Sequence, residues 1–270
     1  MSSWFDLTGA HVLITGAGSG IGRRMAFEAA SRGADVVIWD LNAAAAEDTA
    51  LAIRDGGGVA FSAQVDVTDS AAVAREAESA GPIDVLINNA GVVTGARLLE
   101  ASEAQIRRTF EVNTLALYWT TRAFLPGMIE RGRGRVVTIA SAAGLVGVAR
   151  QTDYAASKWA AIGFTESLRA ELRRDGHSIS TLYVAPFYID TGMFEGVKTK
   201  WPLLLPILQE REVARQVISA VERGAQRLIL PPFARLVPAL RVLPVVAMDA
   251  LTDFFGVNET MDDFTGRGRA

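Results

Sequence analysis

The chain has 270 residues, 50% of them hydrophobic and 21% charged, with a net charge of −3, which suits one large globular domain and speaks against an electrostatic nucleic-acid binder. It has no cysteine, which excludes disulfide frameworks, thiolate metal sites and thiol nucleophiles. Only two histidines, His11 and His177, are present, too few for a multi-histidine metal centre and poor material for a Ser-His-Asp triad.

Short apolar runs alternate with longer helical stretches along the chain. Strands are expected over 11–15, 35–39, 59–65, 83–87, 135–139, 180–184 and 228–230, and helices over 20–31, 43–54, 70–79, 105–128, 154–174 and 212–223. Such alternation predicts an α/β fold of the Rossmann type: a doubly wound parallel sheet of about seven strands with helices on both faces. No linker, repeat or low-complexity tract divides residues 1–270, so one domain is expected, ending in an apolar extension over 231–270. In that extension Arg235, Arg241, Asp249 and Asp253 interrupt the apolar pattern, and Pro238 and Pro244 should break it into short pieces that do not span a bilayer. The N-terminus has no basic region leading into an apolar core, so no signal peptide is expected, and a cytoplasmic location is the default.

Between the first strand and first helix lies Thr15-Gly16-Ala17-Gly18-Ser19-Gly20-Ile21-Gly22. Glycines there permit positive φ and close backbone approach, while free N–H groups at a helix start favour a pyrophosphate. The bland alternative is a glycine-rich turn with no ligand. Asp40 ends the second strand, where a carboxylate accepts hydrogen bonds from an adenosine ribose and repels a 2′-phosphate. Positions 19 and 41 hold Ser19 and Leu41 rather than arginine, which favours NAD over NADP; otherwise Asp40 is a simple cap.

Tyr154 and Lys158 stand four residues apart at the head of a predicted helix, hence on one face. A tyrosine base near neutrality needs its pKa brought down from about 10, which a neighbouring ammonium and a cationic nicotinamide can supply. Ser141, just past the fifth strand, is a candidate hydrogen-bond partner for a substrate oxygen; alone it reads as a turn residue, and Tyr154 as a half-buried aromatic.

Together these residues resemble the short-chain dehydrogenase/reductase family from about residue 7 to residue 230. Thr15–Gly22, with Gly16, Ser19, Gly20, Ile21 and Gly22, is similar to its cofactor turn; Asp66-Val67 to its adenine-contacting pair; and Asn88-Asn89-Ala90-Gly91 to its central-strand motif. Asn113, Ser141, Tyr154 and Lys158 match its catalytic tetrad, and Pro186, Ile189 and Thr191 its nicotinamide-side loop. The resemblance implies an NAD-dependent enzyme that interconverts an alcohol and its carbonyl. Tyr154 would exchange the proton, Ser141 orient the substrate oxygen, Lys158 bind ribose and lower the tyrosine pKa, and Asn113 hold a water leading to solvent. Phe187 departs from the family's usual glycine after the proline. That stretch and the apolar tail resemble the retinol dehydrogenase and 17β-hydroxysteroid dehydrogenase branch, which implies a lipophilic alcohol or ketone of retinoid, steroid or long-chain type, and a homodimer or homotetramer. Trp201, Leu203–Leu205, Ile207, Leu208 and the tail offer an apolar substrate wall, although such residues are more often core or interface. Two other readings are a ketoacyl-thioester reductase of the same fold, against which Asp40 and Ser19 speak, and an NAD-sensing binding protein, which has no need of a complete tetrad.

Overall fold

The computed structural model describes residues 4–266. Seven strands, β1 His11–Thr15, β2 Asp35–Asp40, β3 Val59–Gln64, β4 Val85–Asn88, β5 Gly134–Ile139, β6 Ile179–Pro186 and β7 Arg227–Leu230, pair in parallel in the order β3-β2-β1-β4-β5-β6-β7. The central strands are apolar on successive residues because both sheet faces are covered, whereas Val59 and Phe61 of the edge strand β3 are exposed. Val12, Ile14, Val36, Ile38, Val85 and Ile87 pack with helices α1 Gly20–Ser31, α2 Ala43–Asp55 and, near β6 and β7, the helix Glu210–Glu222. The alternating Leu13, Val37, Trp39, Leu86 and Val136 face α3 Ser70–Ala80 and the long helices on the other side. Shifting any strand by one residue would exchange these two cores, which is why the register is well specified.

Helix starts are set locally. Asn42 accepts from the Ala45 amide, Asp69 from the amides of Ala71 and Ala72, and Ser102 forms a reciprocal capping box with Gln105. The helix expected over 105–128 is interrupted: α4 Glu103–Phe110 runs into a π-turn, Glu111–Leu115, and on into α5 Ala116–Arg131. The wide turn inserts one residue into the helical repeat, a device common at functional sites. Here it places buried Asn113 so that Nδ2 donates to the Val92 carbonyl at 2.9 Å and to Ser157 Oγ at 3.0 Å.

Helix α6 Thr152–Arg174 follows β5, and Glu210–Glu222 is α7. The tail is broken as expected into a 3-10 turn Pro232–Leu236, α8 Val237–Leu240, α9 Val245–Phe254 and a 3-10 turn Val257–Glu259. Pro238 lies in the first turn of α8 and Pro244 just before α9, where a missing N–H costs little. Among the described residues no helix is long and apolar enough to cross a membrane.

Candidate active site

The strand order reverses between β1 and β4, and the loops leaving the carboxyl ends of the strands part there to form a crevice. A cleft of about 430 Å³ occupies it. Gly16, Ser19, Gly20, Ile21 and Gly22 line it from the turn after β1, Asp40, Leu41, Asp66 and Val67 from the ends of β2 and β3, and Asn89, Ala90 and Gly91 from the end of β4. Ser141, Tyr154, Lys158, Pro186, Ile189 and Thr191 complete the set. Among the residues expected to take part in catalysis or to contact the cofactor, Asn113 is the one that does not line the cleft.

The glycine turn has little slack. A Cβ on Gly22 would stand 2.3 Å from the Gly16 carbonyl oxygen and 2.5 Å from Asn89 Nδ2, and Gly16 itself has φ +65. Asn89 ties the turn to β4 by donating from Nδ2 to the carbonyls of Thr15 at 2.9 Å and Gly16 at 3.1 Å. Asp40 Oδ2 accepts the Gly18 amide at 2.8 Å and Oδ1 the Asn42 amide at 2.9 Å, so the carboxylate both faces the cleft and braces the turn. Asp66 accepts from the Thr68 amide at 2.9 Å and hydroxyl at 2.7 Å, with Arg108 of α4 at 3.8 Å.

Tyr154 and Lys158 occupy the first turns of α6 and are both buried. Lys158 Nζ donates to the Ile139 carbonyl at 2.9 Å and lies 5.6 Å from the Tyr154 ring centroid. Burial pushes the Lys158 ammonium down to about 8. Burial also pushes the Tyr154 phenol well above its ordinary value, against a hydrogen bond with Ser141 that lowers it. In the protein alone the net shift of Tyr154 is upward, because loss of hydration acts on both groups and favours their neutral forms. Asn113 Oδ1 accepts the Val92 amide at 2.9 Å. The position a Gly91 Cβ would fill lies 3.4 Å from Asn113 Oδ1 and 3.5 Å from Lys158 Nζ, so the missing side chain leaves a gap that both groups face.

Beyond Tyr154 the cleft is walled by Val146, Val148, Phe187, Met193, Phe194, Leu205 and by tail residues including Phe233, Leu236, Leu240, Met248, Leu251 and Phe255. Among the described residues no Asp, Glu, Lys or Arg lines this half. The wall expected from 201–208 is mostly elsewhere: only Leu205 reaches the cleft, Leu208 packs on the central core, and Trp201, Leu203, Leu204 and Ile207 are exposed. An apolar run does not say which of its sides faces inward. Sequence reasoning also missed Gln151, Tyr188 and Thr252, polar residues in this wall with no motif to mark them.

A family model described as short chain dehydrogenase matches residues 10–201. The short-chain dehydrogenase/reductase family 16C member 6 of Bos taurus is 39% identical over 272 residues, covering 98% of this chain and 86% of that protein. Epidermal retinol dehydrogenase 2 of Mus musculus is 40% identical over 269 residues, covering 97% and 87%. A short chain dehydrogenase/reductase from Burkholderia phymatum, solved in complex with NAD, superposes with a TM-score of 0.80 at 27% identity, covering 92% of this chain and 96% of that one.

Proposed function

This chain belongs to the short-chain dehydrogenase/reductase family and is an oxidoreductase acting on alcohols, and on that premise we propose that it interconverts a lipophilic alcohol and its carbonyl with NAD as cofactor. The observation that carries this reading is one continuous cleft that runs from the glycine turn, past Ser141, Tyr154 and Lys158, into an uncharged apolar wall. A charged thioester carrier would want cations in that half, and none of the described residues supplies one. The retinol dehydrogenase relative supports a retinoid substrate, and the uncharged apolar wall suits a steroid or long-chain alcohol as well.

The residues present fit a nicotinamide dinucleotide. The turn that Gly22 keeps open would hold the pyrophosphate, Asp40 and Leu41 the adenosine ribose, Asp66 and Val67 the adenine, and Lys158, Pro186, Ile189 and Thr191 the nicotinamide end. When bound, the cofactor supplies the hydride acceptor and a positive charge beside the phenol. Ser141 and Tyr154 hold the substrate oxygen between their hydroxyls. Tyr154 takes the alcohol proton in oxidation and returns it to the carbonyl in reduction. Lys158, when charged, favours the phenolate. The gap beside Gly91 gives the proton a route from Lys158 toward Asn113. The carboxylate of Asp40 disfavours a 2′-phosphate.

This reading includes a cytoplasmic homodimer or homotetramer, which fractionation and light scattering test. The reaction itself is tested by following absorbance of the reduced cofactor while retinoid, steroid and long-chain alcohols are screened with NAD and NADP. Turnover of an apolar alcohol with NAD is expected. Activity confined to NADP or to charged thioesters overturns the reading.

A further inference from the structure

Three segments far apart in sequence meet at the apolar half of the cleft through one buried line of hydrogen bonds. Gln151, which caps the start of α6, donates from Nε2 to the Tyr188 hydroxyl oxygen at 3.2 Å. The Tyr188 and Thr260 hydroxyls are 2.8 Å apart. Thr260 Oγ1 donates its single proton to the Val257 carbonyl at 2.8 Å. The direction of the middle bond follows: with its proton committed, Thr260 accepts, and Tyr188 donates. The line therefore runs Gln151 to Tyr188 to Thr260 to Val257, each hydroxyl giving one bond and receiving one.

All three side chains are buried, at 1%, 7% and 3% exposure for Gln151, Tyr188 and Thr260. Burial pushes the Tyr188 phenol up to about 12, so it keeps its proton over the working range of pH. Two further contacts cross the same seam. Arg150 has φ 62, the only positive value at a non-glycine among the described residues, and its guanidinium lies 3.8 Å from Asp262. The Thr265 amide donates to the Glu195 carbonyl at 2.9 Å. The Tyr188 ring also touches Phe194 at 5.1 Å between centroids, and Phe194 touches Tyr154 at 5.8 Å.

We propose that Tyr188 is a positioning residue that locks the C-terminal wall of the cleft to the head of helix α6, and so sets how well a bulky apolar alcohol is held against Tyr154. The claim rests on the alcohol reading given above. A polar thread in an apolar wall is directional: it holds the tail in one place, which dispersion contacts alone do not do. A short alcohol does not touch that wall and does not depend on its position.

The test uses the full chain with Thr260→Val, which keeps the shape of the side chain and removes the hydroxyl, with Thr260→Ser as the conservative variant and Tyr188→Phe as a second break of the same line. Thr260→Val is expected to raise KM for 1-dodecanol about tenfold, leave kcat for 1-butanol within about twofold, and speed amide hydrogen exchange over 257–264 while leaving exchange in β1 and α1 unchanged. Thr260→Ser should restore wild-type values. Thr260→Val with Tyr188→Phe should accelerate exchange no more than either alone, because both break one line. Equal losses of kcat for the two alcohols with KM unmoved, or exchange over 257–264 unchanged in both variants, overturn the proposal. Should the wild type turn over neither alcohol, nor any retinoid or steroid alcohol with NAD, the alcohol reading fails by itself. The lock is then judged by exchange alone: acceleration confined to 257–264 and reversed in Thr260→Ser upholds it, and its absence overturns it.

Discussion

Lys158 Nζ lies 5.6 Å from the centroid of the Tyr154 ring and donates its hydrogen bond to the Ile139 carbonyl at the end of β5. One turn of α6 thus carries a cation and a phenol into the same dry space, and the backbone of the central sheet holds the cation in place. Burial moves the two groups in opposite directions, Lys158 down and Tyr154 up, toward their neutral forms.

The first consequence is a stability penalty. Lys158 falls from its usual 10.5 to about 8, so holding it charged at neutral pH costs roughly 3 kcal/mol. Between those two values the unfolded chain binds more protons than the folded one, so this contribution makes the folded protein more stable as pH rises through that window. Lys158→Met removes the penalty and also the hydrogen bond to Ile139, worth about 1 kcal/mol. Its melting temperature without cofactor should exceed wild type by a few degrees near neutrality and fall below it by about pH 10. Melting curves at the two pH values check the crossing, and a lower melting temperature at both would show that the buried charge is not a burden.

Tyr154→Phe removes only the exchangeable proton from a buried ring. NAD affinity should persist while turnover falls at least about a hundredfold, the scale of lost general acid–base catalysis. Steady-state kinetics beside calorimetric NAD binding decide it; turnover within a few-fold of wild type would remove Tyr154 from the mechanism.

Asp40 has two tasks that one pair of variants separates. Asp40→Ala loses both the charge and the hydrogen bond from Gly18, so it should lower kcat/KM for NAD by roughly 1–3 kcal/mol and also lower thermal stability. Asp40→Asn keeps an oxygen for the Gly18 amide and removes the charge. It should narrow the gap between NAD and NADP with a smaller loss of stability. A wild type that already prefers NADP contradicts the role given to Asp40.

Two glycines make a matched comparison. A Cβ on Gly22 would stand 2.3 Å from backbone, whereas one on Gly163, exposed in the middle of α6, meets nothing within 4 Å. Gly22→Ala should weaken NAD binding at least tenfold, while Gly163→Ala should stabilise the fold by about 0.5–1 kcal/mol and leave binding alone. Binding isotherms and thermal melts on both variants are sufficient, and equal behaviour of the two would show that the turn tolerates a side chain.

The part of the protein legible without coordinates is the part written in contiguous residues. Strand periodicity, the turn from Thr15 to Gly22, the acidic end of β2 and the four-residue step from Tyr154 to Lys158 are local patterns, and the parallel sheet brings such strand ends to one crevice whatever the rest of the chain does. The tertiary structure alone decided the π-turn that buries Asn113, since one inserted residue hardly disturbs a helical pattern. It alone decided that Leu205 turns inward while Leu203 and Leu204 face out, because an apolar run carries no direction until a neighbour covers one side. The line from Gln151 through Tyr188 to Thr260 was likewise invisible: its two bonds join residues 37 and 72 positions apart, and polar side chains so distant carry no pattern until the fold removes water from around them.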